Sequence, residues 1–133
     1  VLVVEDVASN ALVARRMLER AGLTVTTCSN GAEALEALAR QRFEIALVDC
    51  EMPVLDGYEA TREIRRREEG SNRHQVIIAL TGNAMAGDRK RCLEAGMDDY
   101  VAKPLKADDL LRLIDEWLPW AIAHNEQELA RRP

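Results

Sequence analysis

A doubly wound α/β sandwich is the fold the sequence predicts: a (βα)5 chain with five parallel strands in one sheet and helices on both faces. Short apolar, β-branched runs recur at Val1–Val4, Val25–Cys28, Ile45–Val48, Val76–Leu80 and Tyr100–Ala102, each followed by a longer segment of helical spacing. Strands apolar on both faces and separated by helices demand a parallel sheet covered on both sides and joined by right-handed crossovers. A length of 133 residues suits one domain.

After the first strand, Ala11, Ala14, Leu18 and Ala21 fall on one helical face, and Gly22 stands where a helix-ending glycine is expected. The spacing predicts further helices over Gly31–Arg40, Asp56–Arg67, Ala86–Glu94 and Lys106–Leu118. In the last, Leu110, Leu113, Ile114 and Trp117 form the buried stripe, and Pro119 is expected to end it. Glu68–Gln75 reads as a polar connection. The domain is expected to span 1–118. For 119–133 three readings stay open: a continuation of the last helix beyond a kink, a linker, or a partly disordered extension.

With 47% hydrophobic and 31% charged residues, the chain is neither a disordered polymer nor a membrane protein. No apolar run reaches the roughly 20 residues of a spanning helix and no secretory signal opens the chain, so the expected compartment is the cytoplasm. The opening strand without an initiator Met suggests a piece of something longer. A net charge of -5 argues against direct nucleic-acid binding. Cys28, Cys50 and Cys92 lack metal-ligand or disulfide spacing and read as reduced thiols.

In a sheet of this kind ligands bind at the carboxyl ends of the strands, beside the point where strand order reverses. The residues there are Glu5 and Asp6, Asp49, Thr81, and Lys103. Singly, an Asp after a strand is most often a turn former or helix cap; the convergence of five such positions is the signal. Three nearby carboxylates repel, so they take up protons at raised pKa values or recruit a hard cation. Mg2+ (or Mn2+), held by one or two carboxylates such as Asp6 and Asp49, fits that need. With its surroundings neutralised, Asp49 is able to attack a phosphoryl group, while the Lys103 ammonium and the Thr81 hydroxyl suit the phosphoryl oxygens.

The chain resembles the receiver domains of two-component signalling over roughly Val1 to Leu118. The resemblance is carried by Val3-Val4-Glu5-Asp6, by Asp49-Cys50-Glu51-Met52-Pro53-Val54-Leu55-Asp56-Gly57, by Leu80-Thr81-Gly82-Asn83-Ala84, and by Gly96-Met97-Asp98-Asp99-Tyr100-Val101-Ala102-Lys103-Pro104. It implies the flavodoxin-like form of the sandwich, Asp49 as phosphoacceptor, Glu5 and Asp6 as the acidic pair, and the Glu51 backbone carbonyl as a further metal ligand. By the same resemblance Thr81 and Lys103 hold the phosphoryl oxygens, Tyr100 is an aromatic switch, and the Lys103–Pro104 peptide is cis. The wording around Thr81 and Lys103 is similar to receivers of hybrid histidine kinases, in a parent chain anchored in a membrane. The implied partners are a histidine kinase or histidine phosphotransfer domain and a downstream effector, with output through the fourth helix, fifth strand and fifth helix. A stand-alone or transcription-factor regulator is the alternative context.

Two positions depart from the family's usual wording. Glu5 stands where Asp is frequent and suits a metal-bound water; Glu51 adds an acid beside the acceptor and bears on the lifetime of the phosphorylated state. Asn83 flanks the same water path. The bland alternatives are a degenerate receiver that only binds partners, or an aspartyl phosphatase, which needs an Asp where Glu51 stands. Tyr100 also reads as a plain core aromatic. His74 and His124 are expected to face solvent without catalytic roles. Cys50 points away from Asp49 by strand alternation, and Arg65-Arg66-Arg67-Glu68-Glu69 reads as a solvated helix end.

Overall fold

The computed structural model describes residues 1–52, 55–82 and 86–130. Strands β1 (Leu2–Val4), β2 (Thr26–Cys28), β3 (Ile45–Asp49), β4 (Val76–Thr81) and β5 (Asp99–Ala102) alternate with helices α1 (Ala8–Arg20), α2 (Gly31–Arg40), α3 (Gly57–Glu68), α4 (Ala86–Ala95) and α5 (Ala107–Ala130). All strand pairings are parallel and the sheet order is β2-β1-β3-β4-β5. The doubly wound α/β expectation is met.

The sheet divides the interior in two. On one face Val1, Val3, Ile45, Leu47, Ile78 and Val101 pack against Ala14 and Leu18 of α1 and Leu110, Leu113 and Ile114 of α5. On the other, Leu2, Val4, Ala46, Val48, Ile77 and Ala79 meet Ala34, Ile64, Cys92 and Ala95 from α2, α3 and α4. The unbroken apolar runs of β1, β3 and β4 thus have a core on each side. The edge strand β2 departs from that pattern: Thr26 and Thr27 are exposed because only one neighbour and one layer cover it.

Helix ends follow local chemistry. Gly22 takes a left-handed φ of 87°, and the backbone N–H groups of Gly22 and Leu23 donate to Glu19 and Leu18 carbonyls, closing α1. Asn30 and Asp56 side chains accept the N–H of Glu33 and Glu59 at the starts of α2 and α3.

Four expectations are corrected. Pro119 does not end the last helix but lies inside α5. Its missing N–H leaves the Asp115 carbonyl without a helical partner, yet both residues are exposed to water, while Leu118 and Ala121 hold the helix to the core on either side. Of the expected solvated arginines, Arg65 turns inward: it donates to the Gly96 carbonyl at 2.9 Å, to Glu68 at 2.7 Å and to Asp98 at 3.0 Å. Arg66 and Arg67 stay outside, paired with Glu63. His74 and His124 do not face open solvent. Trp120 of the continued helix meets the His74 ring edge-on, His74 bonds Asp98, and His124, itself on that helix, stacks on Trp120. On α1, Ala21 lies exposed at the helix end rather than on the buried face.

Candidate functional site

Strand order reverses between β1 and β3: β2 lies beyond one and β4 beyond the other. The crevice at their carboxyl ends is therefore lined by the β1–α1 turn and by the end of β3. Glu5 and Asp6 follow β1, Asp49 closes β3, Thr81 closes β4, and Lys103 follows β5. Glu5, Asp49 and Thr81 are buried, Asp6 is exposed, and the side chain of Lys103 is 28% exposed.

Carboxylate oxygens of Glu5, Asp6 and Asp49 lie within 4.8 Å of one another. Lys103 Nζ donates to Asp49 Oδ2 at 2.8 Å and lies 3.5 Å from Glu5 Oε2. The Glu51 backbone N–H donates to Asp49 Oδ1 at 3.1 Å, and the Val7 N–H to Glu5 Oε1 at 3.1 Å. Glu5 Oε2 is buried without a hydrogen bond. An ion at the mouth of the cluster would answer that orphaned oxygen, directly or through a water, so the donor set fits a hard divalent cation. The Glu51 side chain is exposed and outside the acidic cluster.

The electrostatics follow from burial. Desolvation, reinforced by the Asp49 charge, pushes the Glu5 carboxyl up to about 7. Lys103 is itself partly desolvated, yet the hydrogen bond and charge of Asp49, with the Glu5 charge, hold its ammonium above its usual value. Because the folded-state pKa of Glu5 lies above its unfolded value, the folded chain binds the extra proton between about pH 4.5 and 7. That contribution to stability is full below this window and lost as pH rises through it. A divalent ion competes for the same carboxylate. Mg2+ is therefore expected to raise the melting temperature more at pH 8 than at pH 5.5; an equal shift at both would count against Glu5 facing the ion.

Thr81 and Lys103 are joined by backbone, the Lys103 N–H donating to the Thr81 carbonyl at 2.8 Å. The Lys103–Pro104 peptide is cis. Tyr100 is half-buried against the α4 side of the sheet, with the Arg89 guanidinium 5.5 Å from its ring centre. Cys50 points into the core, where its Sγ lies 3.8 Å from Cys92 Sγ and burial pushes its thiol up to about 12. Asn83 lies outside the described residues. Sequence reasoning overlooked Gly57, on which α3 closes against the Asp49 carbonyl, and the exposed apolar residues Val7, Leu12 and Val13 beside the crevice. The signal for the latter was present: they are apolar yet off the buried stripe of α1.

Among the described residues no helix is long and apolar enough to cross a membrane. Compared with known proteins, the chain is 36% identical over 133 residues to the sensor histidine kinase GacS of Pseudomonas protegens, covering 98% of this chain and 14% of that protein. It is 36% identical over 120 residues to hybrid signal transduction histidine kinase B of Dictyostelium discoideum, covering 84% of this chain and 6% of that protein. The chain thus spans a small fraction of these relatives. Among solved structures, the receiver domain of the sensor histidine kinase PA1611 from Pseudomonas aeruginosa, with a magnesium ion in its active-site cleft, superposes with a TM-score of 0.80 at 49% identity, over 89% of this chain and 95% of that one. The receiver domain of Saccharomyces cerevisiae Ssk1, solved with the histidine phosphotransfer protein Ypd1, gives 0.81 at 31% identity, over 87% and 86%. Residues 1–115 match the family of the response regulator receiver domain, and with the five-stranded sheet and its acidic crevice the chain belongs to that family.

Proposed function

We propose that this domain is a phosphorelay receiver in which Asp49 accepts a phosphoryl group from a phosphohistidine. The observation that carries the reading is the Glu5, Asp6 and Asp49 cluster with the Lys103 ammonium 2.8 Å from Asp49. A carboxylate oxygen of Asp49 forms the new P–O bond as the donor's P–N bond breaks, and the imidazole leaves with the electron pair. Asp6, Asp49 and the Glu51 carbonyl would hold Mg2+ or Mn2+, with Glu5 acting through a water. When bound, the ion supplies charge neutralisation at the phosphoryl oxygens. Lys103 passes its hydrogen bonds from Asp49 Oδ2 to the phosphoryl group, and Thr81 donates its hydroxyl there. Tyr100, two residues before the strand ends at Ala102, is the side chain whose position reports the change.

The relatives' names support a place within a hybrid sensor histidine kinase, with this domain on the cytoplasmic side of its membrane. The donor is then a histidine kinase or histidine phosphotransfer domain, and the half-exposed Val7, Leu12 and Val13 offer it an apolar face beside the crevice. The test is intact mass after incubation with acetyl phosphate, with and without Mg2+, on the native chain and on Asp49→Asn. A metal-dependent phosphoryl adduct absent from the variant is expected. An adduct that persists in Asp49→Asn, or none in a chain that binds Mg2+, overturns the assignment.

A further inference from the structure

Helix α5 outruns the sheet: its 24 residues extend about 36 Å, against about 20 Å for the six residues of β4. Its far half is tied to the body of the domain by its own contacts. Trp117 Nε1 donates to Asp99 Oδ2 at 3.0 Å, while the other Asp99 oxygen accepts the Tyr100 N–H at 2.9 Å. One residue earlier, Asp98 Oδ1 bonds His74 Nε2 at 2.7 Å, and the His74 ring meets Trp120 edge-on at 5.6 Å. Trp120 in turn lies edge-on to Trp117 at 6.2 Å and stacks on His124 at 4.8 Å. Asp98 is itself anchored, its Oδ2 accepting the Ile77 N–H at 2.8 Å and Arg65 at 3.0 Å. Two consecutive carboxylates at the start of β5 thus each hold a tryptophan of α5, one directly and one through a histidine.

The opposite end of β5 is the acceptor site. Lys103 follows the strand with its N–H on Thr81 and its ammonium on Asp49. Tyr100 and Asp99 are neighbours on a strand, so they face opposite layers: Tyr100 packs with the α4 side and Trp117 with the α5 side. A turn of the backbone that moves Tyr100 also re-aims Asp99. Three residues, Tyr100 to Ala102, separate the hold on α5 at Asp99 from Lys103 at the acceptor site.

We propose that the Trp117–Asp99 and Trp120–His74–Asp98 contacts latch the end of α5 while Lys103 is paired with the free Asp49 carboxylate, and that phosphorylation loosens the latch. The proposal rests on Asp49 being the phosphoacceptor and makes the helix beyond Leu118 the output element. Coupling of this kind is reciprocal: a contact that stabilises the unphosphorylated arrangement opposes phosphorylation, and removing it favours the phosphorylated one.

The chain contains only two tryptophans, both in this latch, so its intrinsic emission reads the event directly. The experiment follows emission and intact mass together during reaction with acetyl phosphate and Mg2+, on the native chain, Trp117→Phe and Trp120→Phe. Emission is expected to shift as adduct accumulates and to return as it hydrolyses, relative to Mg2+ alone, and Asp49→Asn is expected to stay silent. Asp99→Asn, which keeps the shape but weakens the bond to Trp117, is expected to phosphorylate about fivefold faster, the equivalent of one ordinary hydrogen bond. Full adduct with unchanged emission in the native chain and both single-tryptophan variants overturns the latch and leaves the acceptor assignment standing. Absence of any adduct overturns both.

Discussion

Lys103→Met is expected to slow phosphorylation of Asp49 by about 10²–10³-fold, the usual loss when one fixed donor to a developing oxyanion is removed. The native ammonium sits 2.8 Å from Asp49 Oδ2 and 3.5 Å from Glu5 Oε2. It thereby balances the two buried carboxylates of the site before any phosphoryl group arrives. Methionine keeps most of the stem and its packing but removes the charge, so the folded chain must either protonate a carboxyl or lean on a cation. Two readings follow from one variant. Single-turnover phosphorylation with acetyl phosphate should fall at saturating Mg2+, while stability in the absence of metal should improve as pH is lowered through the Glu5 window. A rate within threefold of the native chain would remove Lys103 from the chemistry.

Gly57→Ala is expected to damage the same site from outside it. Helix α3 begins at Gly57, capped by Asp56, and its N–H donates to the Cys50 carbonyl at 3.2 Å. A Cβ there would overlap the Asp49 carbonyl oxygen and lie 2.9 Å from Cys50 Cα, and these are backbone atoms with no rotamer to yield. Relief requires α3 and the end of β3 to separate, which displaces Asp49 and the Glu51 backbone together. Overpacking of this kind costs typically 1–3 kcal/mol. Chemical denaturation should show a loss in that range, and Mg2+ titration followed by melting temperature should show weaker binding than the stability loss alone produces. Unchanged denaturation and unchanged metal response would mean the two elements are not in contact.

The strands and the acidic crevice were legible because both rest on local signals: short β-branched or apolar runs, and chemically telling residues set immediately after most of them. What joins those residues is the strand order, and for a parallel sheet alternating with helices the crevice falls at the carboxyl ends whichever strands are neighbours. The misreadings share a different cause. Pro119 looks like a terminator because the penalty for an interior proline is local, whereas its tolerance comes from water on one side and the packing of Leu118 and Ala121 on the other. Arg65 is indistinguishable in sequence from Arg66 and Arg67, yet only Arg65 is on the face that meets the turn at Gly96 and Asp98. His74 looked solvent-facing because the helix that carries Trp120 and His124 was expected to have stopped before reaching it. The exposure of Thr26 and Thr27 is likewise a matter of tertiary position, as β2 has a neighbour on one side only.

The order β2-β1-β3-β4-β5 also apportions stiffness. Strand β3, which carries Asp49, is in the middle, bonded to β1 on one side and to β4 on the other; displacing it breaks two ladders at once. Strand β5, which carries Tyr100, is bonded within the sheet to β4 alone and shifts at the expense of one. Asp49, the proposed acceptor, is thus mounted on a strand held on both sides, as β1 and β4 are, and the candidate moving part on one of the two edge strands. If Asp49 is the acceptor, bond formation has a firmly held base, and movement at β5, on the margin of the sheet, disturbs least of the framework.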